Sequence, residues 1–269
     1  MGFLTAQPSA QFSNLIKHYW SLESCLAPGQ FHSQRIVPSG LPELIFYLDE
    51  RPEASDERKS VNESTVVSGQ QKEFYDLKIT GNLSLFSILF QPHALALFFD
   101  IPASEFFNRT VPLRYILKDE TQKLEEELAG ASSFSERIKI TEQFFADRLH
   151  KNNKKYELAR IENSIRLIND SRGIVSVDYL ASEACLSRKQ FERTFSSFIG
   201  ISPKQFLKII RFQNAVHEKS KNEKLNLTEL TYKCGYYDQS HMSNDFFKIS
   251  GMTPSQYFAD CEPYSDYFQ

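Results

Sequence analysis

At 269 residues the chain exceeds the usual domain size of about 100–150 residues, so two compact units are expected. Its 41% hydrophobic and 24% charged residues, with 23 Phe and 12 Tyr, exclude wholesale disorder, and the net charge of −3 gives no support to an indiscriminate polyanion binder. The longest apolar stretches, Leu85–Phe90 and Leu95–Phe99, are broken by Gln91, Pro92 and His93 and fall far short of the ~20 residues of a membrane span, so no membrane partner is expected.

The opening Met1–Pro8 has no cationic start followed by an apolar run and a small-residue cleavage site, which predicts a cytoplasmic protein. Residues 1–150 read as a β-rich domain with trailing helices. Strand-like segments Glu43–Leu48, Ser64–Val67 and Leu83–Phe90 are separated by turn residues at Pro38-Ser39-Gly40, Gly69 and Gly81-Asn82, which points to a barrel or sandwich. The polar, Pro-containing segment Glu50–Glu63 is expected to be an exposed loop with solvated charges. From Leu117 the spacing becomes helical, through Leu124 and Leu128 and then Phe134, Ile138, Phe144, Phe145 and Leu149. The second of these helices is a candidate dimer contact, burial within its own domain being the alternative. Residues 151–156 include the polar tract Lys151–Lys155 and are expected to be a linker.

Residues 157–260 read as wholly helical, and residues 261–269 as a polar tail. Between Glu157 and Ser255 fourteen bases face eleven acids, so this part is positive and the remainder acidic. An internal repeat organises it: Leu180 matches Leu230 at an offset of 50, and Phe191/Met242, Phe195/Phe246, Gly200/Gly251, Pro203/Pro254 and Phe206/Tyr257 match at 51. Ser176 is placed to cap one short helix, and Asn226-Leu227-Thr228-Glu229 has the form of a capping box. Phe191, Phe195 and Phe198, and likewise Met242, Phe246 and Ile249, lie three or four apart and form buried stripes. What remains outward is polar, of the kinds that hydrogen-bond base edges: Arg or Lys to guanine, Asn or Gln to adenine, Glu to cytosine. Two helix-turn-helix motifs follow, and the overall class is α+β.

The doubled Gly-x-Ser/Thr-Pro-x-Gln-aromatic motif, together with Cys234-Gly235-Tyr236 and Asp238–Met242, resembles the AraC/XylS family of bacterial transcription regulators over roughly Glu157 to Phe258. More weakly, Ile36–Gly40, Glu43–Phe46 and Phe90–His93 resemble the β domain of some of its members. The resemblance implies two reading helices, joined by a long helix from Pro203, entering successive major grooves of double-stranded promoter DNA about 34 Å apart. Carried over by position, Lys189, Gln190, Glu192 and Arg193, then Gln239, Ser240, His241, Ser243 and Asn244, are the base-reading candidates. Arg188, Lys204, Lys208 and Arg211 are the phosphate candidates. The resemblance also implies activation more than repression, RNA polymerase as a partner, and a small-molecule effector or a homodimer through the β domain. Asn244 stands where many members carry a base, Asp245 brings negative charge beside it, and Thr231 replaces a usual Ala. All three predict a weaker second half.

Other chemistry finds little in the sequence. The six histidines show no HxH or HExxH spacing, the four cysteines form no CxxC pair, and no GxSxG, Walker or GxGxxG motif occurs. Neither metal, cofactor nor catalysis is expected. Arg35 and Glu43, near the Pro38–Gly40 turn, read as a surface ion pair before they read as ligand contacts. The competing reading is a sensor or interaction protein whose helical half has lost tight DNA binding.

Overall fold

Alternating apolar and polar side chains build the N-terminal half into two antiparallel sheets. The computed structural model describes residues 2–59, 62–149, 155–261 and 267–268. Strands β1 (Gly2–Ala6), β2 (Ile16–Cys25), β3 (Phe31–Ile36), β4 (Glu43–Tyr47) and β5 (Glu53–Ala54) are followed by β6 (Thr65–Ser68), β7 (Tyr75–Thr80), β8 (Asn82–Phe90) and β9 (Thr110–Pro112). Six form a sheet in the order β1-β2-β8-β4-β6-β9, and three form a second in the order β3-β7-β5. In the central register Leu44 faces Ile88 and Phe46 faces Phe86. These four side chains, with Tyr19, point to the buried face of the large sheet. The neighbours between them, Glu43, Ile45, Tyr47 and Leu85, point the other way, toward the small sheet.

Helices α1 (Leu95–Phe98), α2 (Arg114–Leu117), α3 (Asp119–Gly130) and α4 (Phe134–Leu149) cover the first face. The helix expected to run on from Leu117 is broken at Lys118, whose positive φ of 50° separates α2 from α3. Phe145 of α4 is fully buried against Phe90 and Phe98, and Phe134 meets Phe86 edge-on. The apolar stripe of α4 is thus taken up inside its own domain.

The C-terminal half consists of α5 (Lys155–Asp170), α6 (Val177–Glu183), α7 (Arg188–Ile199), α8 (Pro203–Lys221), α9 (Leu227–Lys233), α10 (Gln239–Ser250) and α11 (Pro254–Asp260). Local rules set the starts. Ser176 caps α6, Ser187 and Gln190 form a capping box on α7, Ser202 caps α8 before Pro203, and Asn226 with Glu229 box α9. Asp238 caps α10, and Thr253 with Gln256 box α11. Gly200 and Gly251 close the two longer helices of the repeat in the left-handed conformation, with φ of 95° and 75°.

One hydrophobic core runs without a break from the β sheet into the first helix-turn-helix, joining Phe99, Ala103 and Phe106 to Phe191, Phe195 and Ile199. A second core holds Phe212, Val216, Leu230, Met242, Phe246 and Tyr257. Helix α8 belongs to both: Phe206, Ile209 and Ile210 pack into the first, Phe212, Ala215 and Val216 into the second. At roughly 1.5–3 kcal/mol for each such side chain taken from water, this shared helix fixes one motif to the other.

Three expectations are corrected. The Glu50–Glu63 segment contains β5, and its Lys59 is only 6% exposed, because the segment folds back under β7 and the Asn108 turn. Of the expected linker, residues 151–154 lie outside the described residues, and Lys155 already opens α5. Of the expected polar tail, residues 262–266 and 269 lie outside the described residues, and Tyr267 is not solvated: it is buried against Phe206, donates its hydroxyl to Asn169 Oδ1 at 2.7 Å and accepts from Lys17 Nζ at 3.1 Å through its carbonyl.

Candidate nucleic-acid interface

The repeat turns its apolar stripes inward and leaves the first turns of α7 and α10 at the surface, neither carrying an acidic residue. Free backbone N–H groups at such helix starts favour anions such as phosphate. On α7, Lys189 and Arg193 are exposed. Gln190 is at the surface too, but its Oε1 accepts from the Ser187 hydroxyl at 3.0 Å, so its amide holds the helix start. Glu192 accepts from Arg188 Nε at 3.1 Å, and Arg188 Nη1 also reaches both oxygens of Asp178 at 3.1 Å. Glu192 first and Asp178 second raise the Arg188 guanidinium above its ordinary value. In these positions the two acids neutralise Arg188 locally.

On α10, Ser240 and Asn244 are exposed, Ser243 is half-buried, and Gln239 donates to Thr228 Oγ1 at 2.7 Å. His241 turns back toward the protein, its Nε2 3.6 Å from Asp245 Oδ2 and its ring edge-on to Tyr236. Asp245 itself does not lie at the surface as expected. Its side chain is 3% exposed and is met by Lys208 Nζ at 3.1 Å and Arg211 Nη2 at 3.8 Å, because position 245 falls on the stripe facing α8. Lys208 and Arg211, two of the four phosphate candidates, are therefore engaged internally, whereas Lys204 is exposed beside the start of α8. Thr231 is fully buried and donates to the Leu227 carbonyl at 2.6 Å, so the hydroxyl is satisfied within its own helix.

The β domain grips both motifs. Gln213 Nε2 donates to the Pro38 carbonyl at 2.9 Å, Gly40 lies against Ile209 and Ile210, and Gly200 lies against the Ala103 carbonyl. Arg35 does not pair with Glu43. It makes a two-pronged bond to Asp76 at 2.8 and 3.1 Å, covers the Phe74 ring, and reaches the Ser250 carbonyl at the end of α10 at 3.3 Å. These cross-domain contacts carry no signature in the linear sequence, since their partners lie about a hundred residues or more apart.

No group of three or more His, Cys, Asp or Glu among the described residues is arranged to hold a metal, and no described helix is long and apolar enough to cross a membrane.

Comparison with known proteins finds matches for two separate stretches of the chain. Residues 4–112 match the family "Domain of unknown function (DUF6597)", and residues 180–260 match the helix-turn-helix domain family. The probable transcriptional regulator LumQ of Photobacterium leiognathi is 34% identical over 83 residues, covering 31% of this chain and 33% of that protein. The HTH-type transcriptional regulator ArgR of Pseudomonas aeruginosa is 26% identical over 82 residues, covering 30% and 25% respectively. The chain thus spans a quarter to a third of the length of these curated relatives. A structure of ToxT from Vibrio cholerae aligns over 96% of this chain and 98% of its own at 12% identity and a TM-score of 0.46. With the repeat, its caps and its paired reading helices in place, the chain carries an AraC/XylS-type double helix-turn-helix domain behind a β domain of the DUF6597 family.

Proposed function

We propose that the protein is a sequence-specific DNA-binding transcription regulator that places α7 and α10 in successive major grooves of promoter DNA. The observation that carries this reading is the paired geometry: two capped helices with acid-free first turns and outward polar side chains, fixed to one another by the shared helix α8. Lys189, Arg193, Ser240 and Asn244 are the side chains free in exposure to read bases, and Lys204 is the phosphate contact. Gln239 joins them once DNA replaces Thr228 as its partner, and the half-buried Ser243 lies beside them on the same helix. The β domain acts as sensor or self-association module in a cytoplasmic protein, and activation through RNA polymerase is the expected outcome.

Fluorescence-anisotropy titration of the full chain against its own upstream DNA and a scrambled control, each at two salt concentrations, tests the reading. Preferential binding that weakens with salt is expected. Equal, weak binding to both DNAs across a panel of the organism's promoters overturns it.

A further inference from the structure

The two motifs of the helical half differ in the length of their turns. Their first helices match at an offset of 50, Leu180 with Leu230, and their reading helices at 51, Phe191 with Met242 and Phe195 with Phe246. The second motif therefore holds one residue more between its helices. In the first motif Leu186 is followed directly by Ser187, the cap of α7, whereas in the second Tyr236 and Asp238 take those places with Tyr237 between them.

Tyr236 and Tyr237 point opposite ways. Tyr236 is buried beside Arg211, and Tyr237 is 84% exposed, more than any other large hydrophobic side chain among the described residues. Its backbone N–H is directed at His241 Nδ1, 3.5 Å away in the first turn of α10, so the residue is tied to the helix that follows it. Among the described residues its hydroxyl and ring have no partner. A singly exposed ring is ordinary on a protein surface, and it is the place of this one, immediately ahead of the cap of a reading helix, that gives it meaning. A helix-turn-helix brings the N-terminal end of its second helix to the base edges, so the residue before that end lies where sugar and phosphate line the groove.

Charge differs between the two reading helices in the same region. Helix α7 carries Arg188, Lys189 and Arg193, but α10 has no lysine or arginine before Lys248 in its last turn. Lys233, at the end of α9, is paired with Glu218. The start of α10 thus has no cation of its own for phosphate, and it has instead a neutral hydroxyl on an apolar ring.

We propose that Tyr237 is the backbone anchor of the second half-site, its hydroxyl donating to a phosphate oxygen and its ring lying on the adjoining deoxyribose. Helix α10 is then seated in its groove by a neutral contact, where α7 has Lys189 and Arg193. The proposal rests on the reading of the protein as a DNA-binding regulator and adds to it a positioning residue outside both reading helices.

The test uses the full chain, with the DNA preferred in the promoter titration as probe, and compares wild type with Tyr237→Phe, Tyr237→Ala and Lys204→Ala. Tyr237→Ala is expected to bind about tenfold more weakly, through loss of a hydrogen bond to a charged group. The slope of log affinity against log salt is expected to stay as in wild type, because no cation is removed, whereas Lys204→Ala lowers it by about 1. Tyr237→Phe, which keeps the ring, is expected to fall between wild type and Tyr237→Ala. In hydroxyl-radical footprints at saturating protein, Tyr237→Ala is expected to lose protection of sugars in one half-site and to keep it in the other. Thermal unfolding without DNA is expected to be unchanged, as the side chain is 84% exposed. Affinity of Tyr237→Ala within about twofold of wild type, or a loss of protection spread evenly over both half-sites, overturns the proposal and leaves the promoter reading standing. A wild-type chain with no preferred DNA overturns the promoter reading, and this proposal with it.

Discussion

Gly251, at the end of the second reading helix, lies so close to Phe74 of the β domain that a Cβ there would stand 2.4 Å from the ring's Cζ. Gly251 also has a φ of 75°, where a side chain is disfavoured on its own account. Gly251→Ala should cost about 1–2 kcal/mol for the backbone alone, with the ring contact added. Chemical denaturation of Gly251→Ala, Phe74→Ala and the double variant checks this. The double variant is expected to recover the contact part of the loss and to retain the backbone part. Additive losses would mean that the glycine is needed for φ alone.

Removing Arg193, exposed on α7, should cost roughly 1–3 kcal/mol on preferred DNA and relax one base position, whereas Lys204→Ala should weaken all DNA alike and lower the salt slope by about 1. Lys208→Ala is expected to behave differently from both. Its partner Asp245 is buried, so the variant should lose roughly 2 kcal/mol of folding stability by removing a charge-assisted bond. Anisotropy with two DNAs and a denaturation curve for each variant separates the three outcomes. Equal losses on preferred and scrambled DNA for Arg193→Ala would remove it from the base-reading set.

Acid should loosen the β domain through His93. Its ring is 5% exposed and burial pulls its pKa down to about 4, with a backbone bond at Asn14 opposing the shift. The unfolded chain, with an ordinary value near 6.5, takes up the proton first, so stability falls as pH drops from about 6.5 to about 4. The loss approaches about 3 kcal/mol at the lower end. His93→Leu should flatten that part of the pH profile in urea denaturation, and an unchanged slope in the variant would exclude His93 as its source.

The turns inside the two motifs differ by one residue type. Gly235 has a φ of 73°, and its counterpart in the first motif, Cys185, has a φ of 54°. A side chain held there is strained, so Cys185→Gly should stabilise the protein by about 0.5–1 kcal/mol while Cys185→Ser leaves it unchanged. The reverse change at Gly235 should be severe, because a Cβ would come within 2.6 Å of Ile174.

The helical half was legible because its rules are local. Ser176, Asn226 and the two Gly-x-Ser/Thr-Pro segments announce their helix ends within a few residues, and the offset of 51 brings Phe195 and Phe246 to equivalent places. The sheets were less so, since β2 pairs with β8 across some sixty residues and nothing near Ile16–Cys25 names that partner. Lys59 and Asp245 illustrate the limit. Each sits in a stretch that reads as surface by composition, and each is buried by contacts made from far along the chain. Conversely, Gln190 has a side chain suited to reading bases and spends it on capping, a choice decided by its third position after Ser187.

Helix α8 is a ruler as well as a scaffold. Its first turns are sealed into one core and its later turns into another, so its length cannot drift without turning one reading helix relative to the other. A single inserted residue would rotate everything beyond it by about 100° and advance it by about 1.5 Å. On the proposed reading, the spacing of the two half-sites on DNA is therefore set by the number of residues between Phe206 and Phe212, where a change of length would be felt far more than an exchange of side chains on the outward faces of α7 and α10.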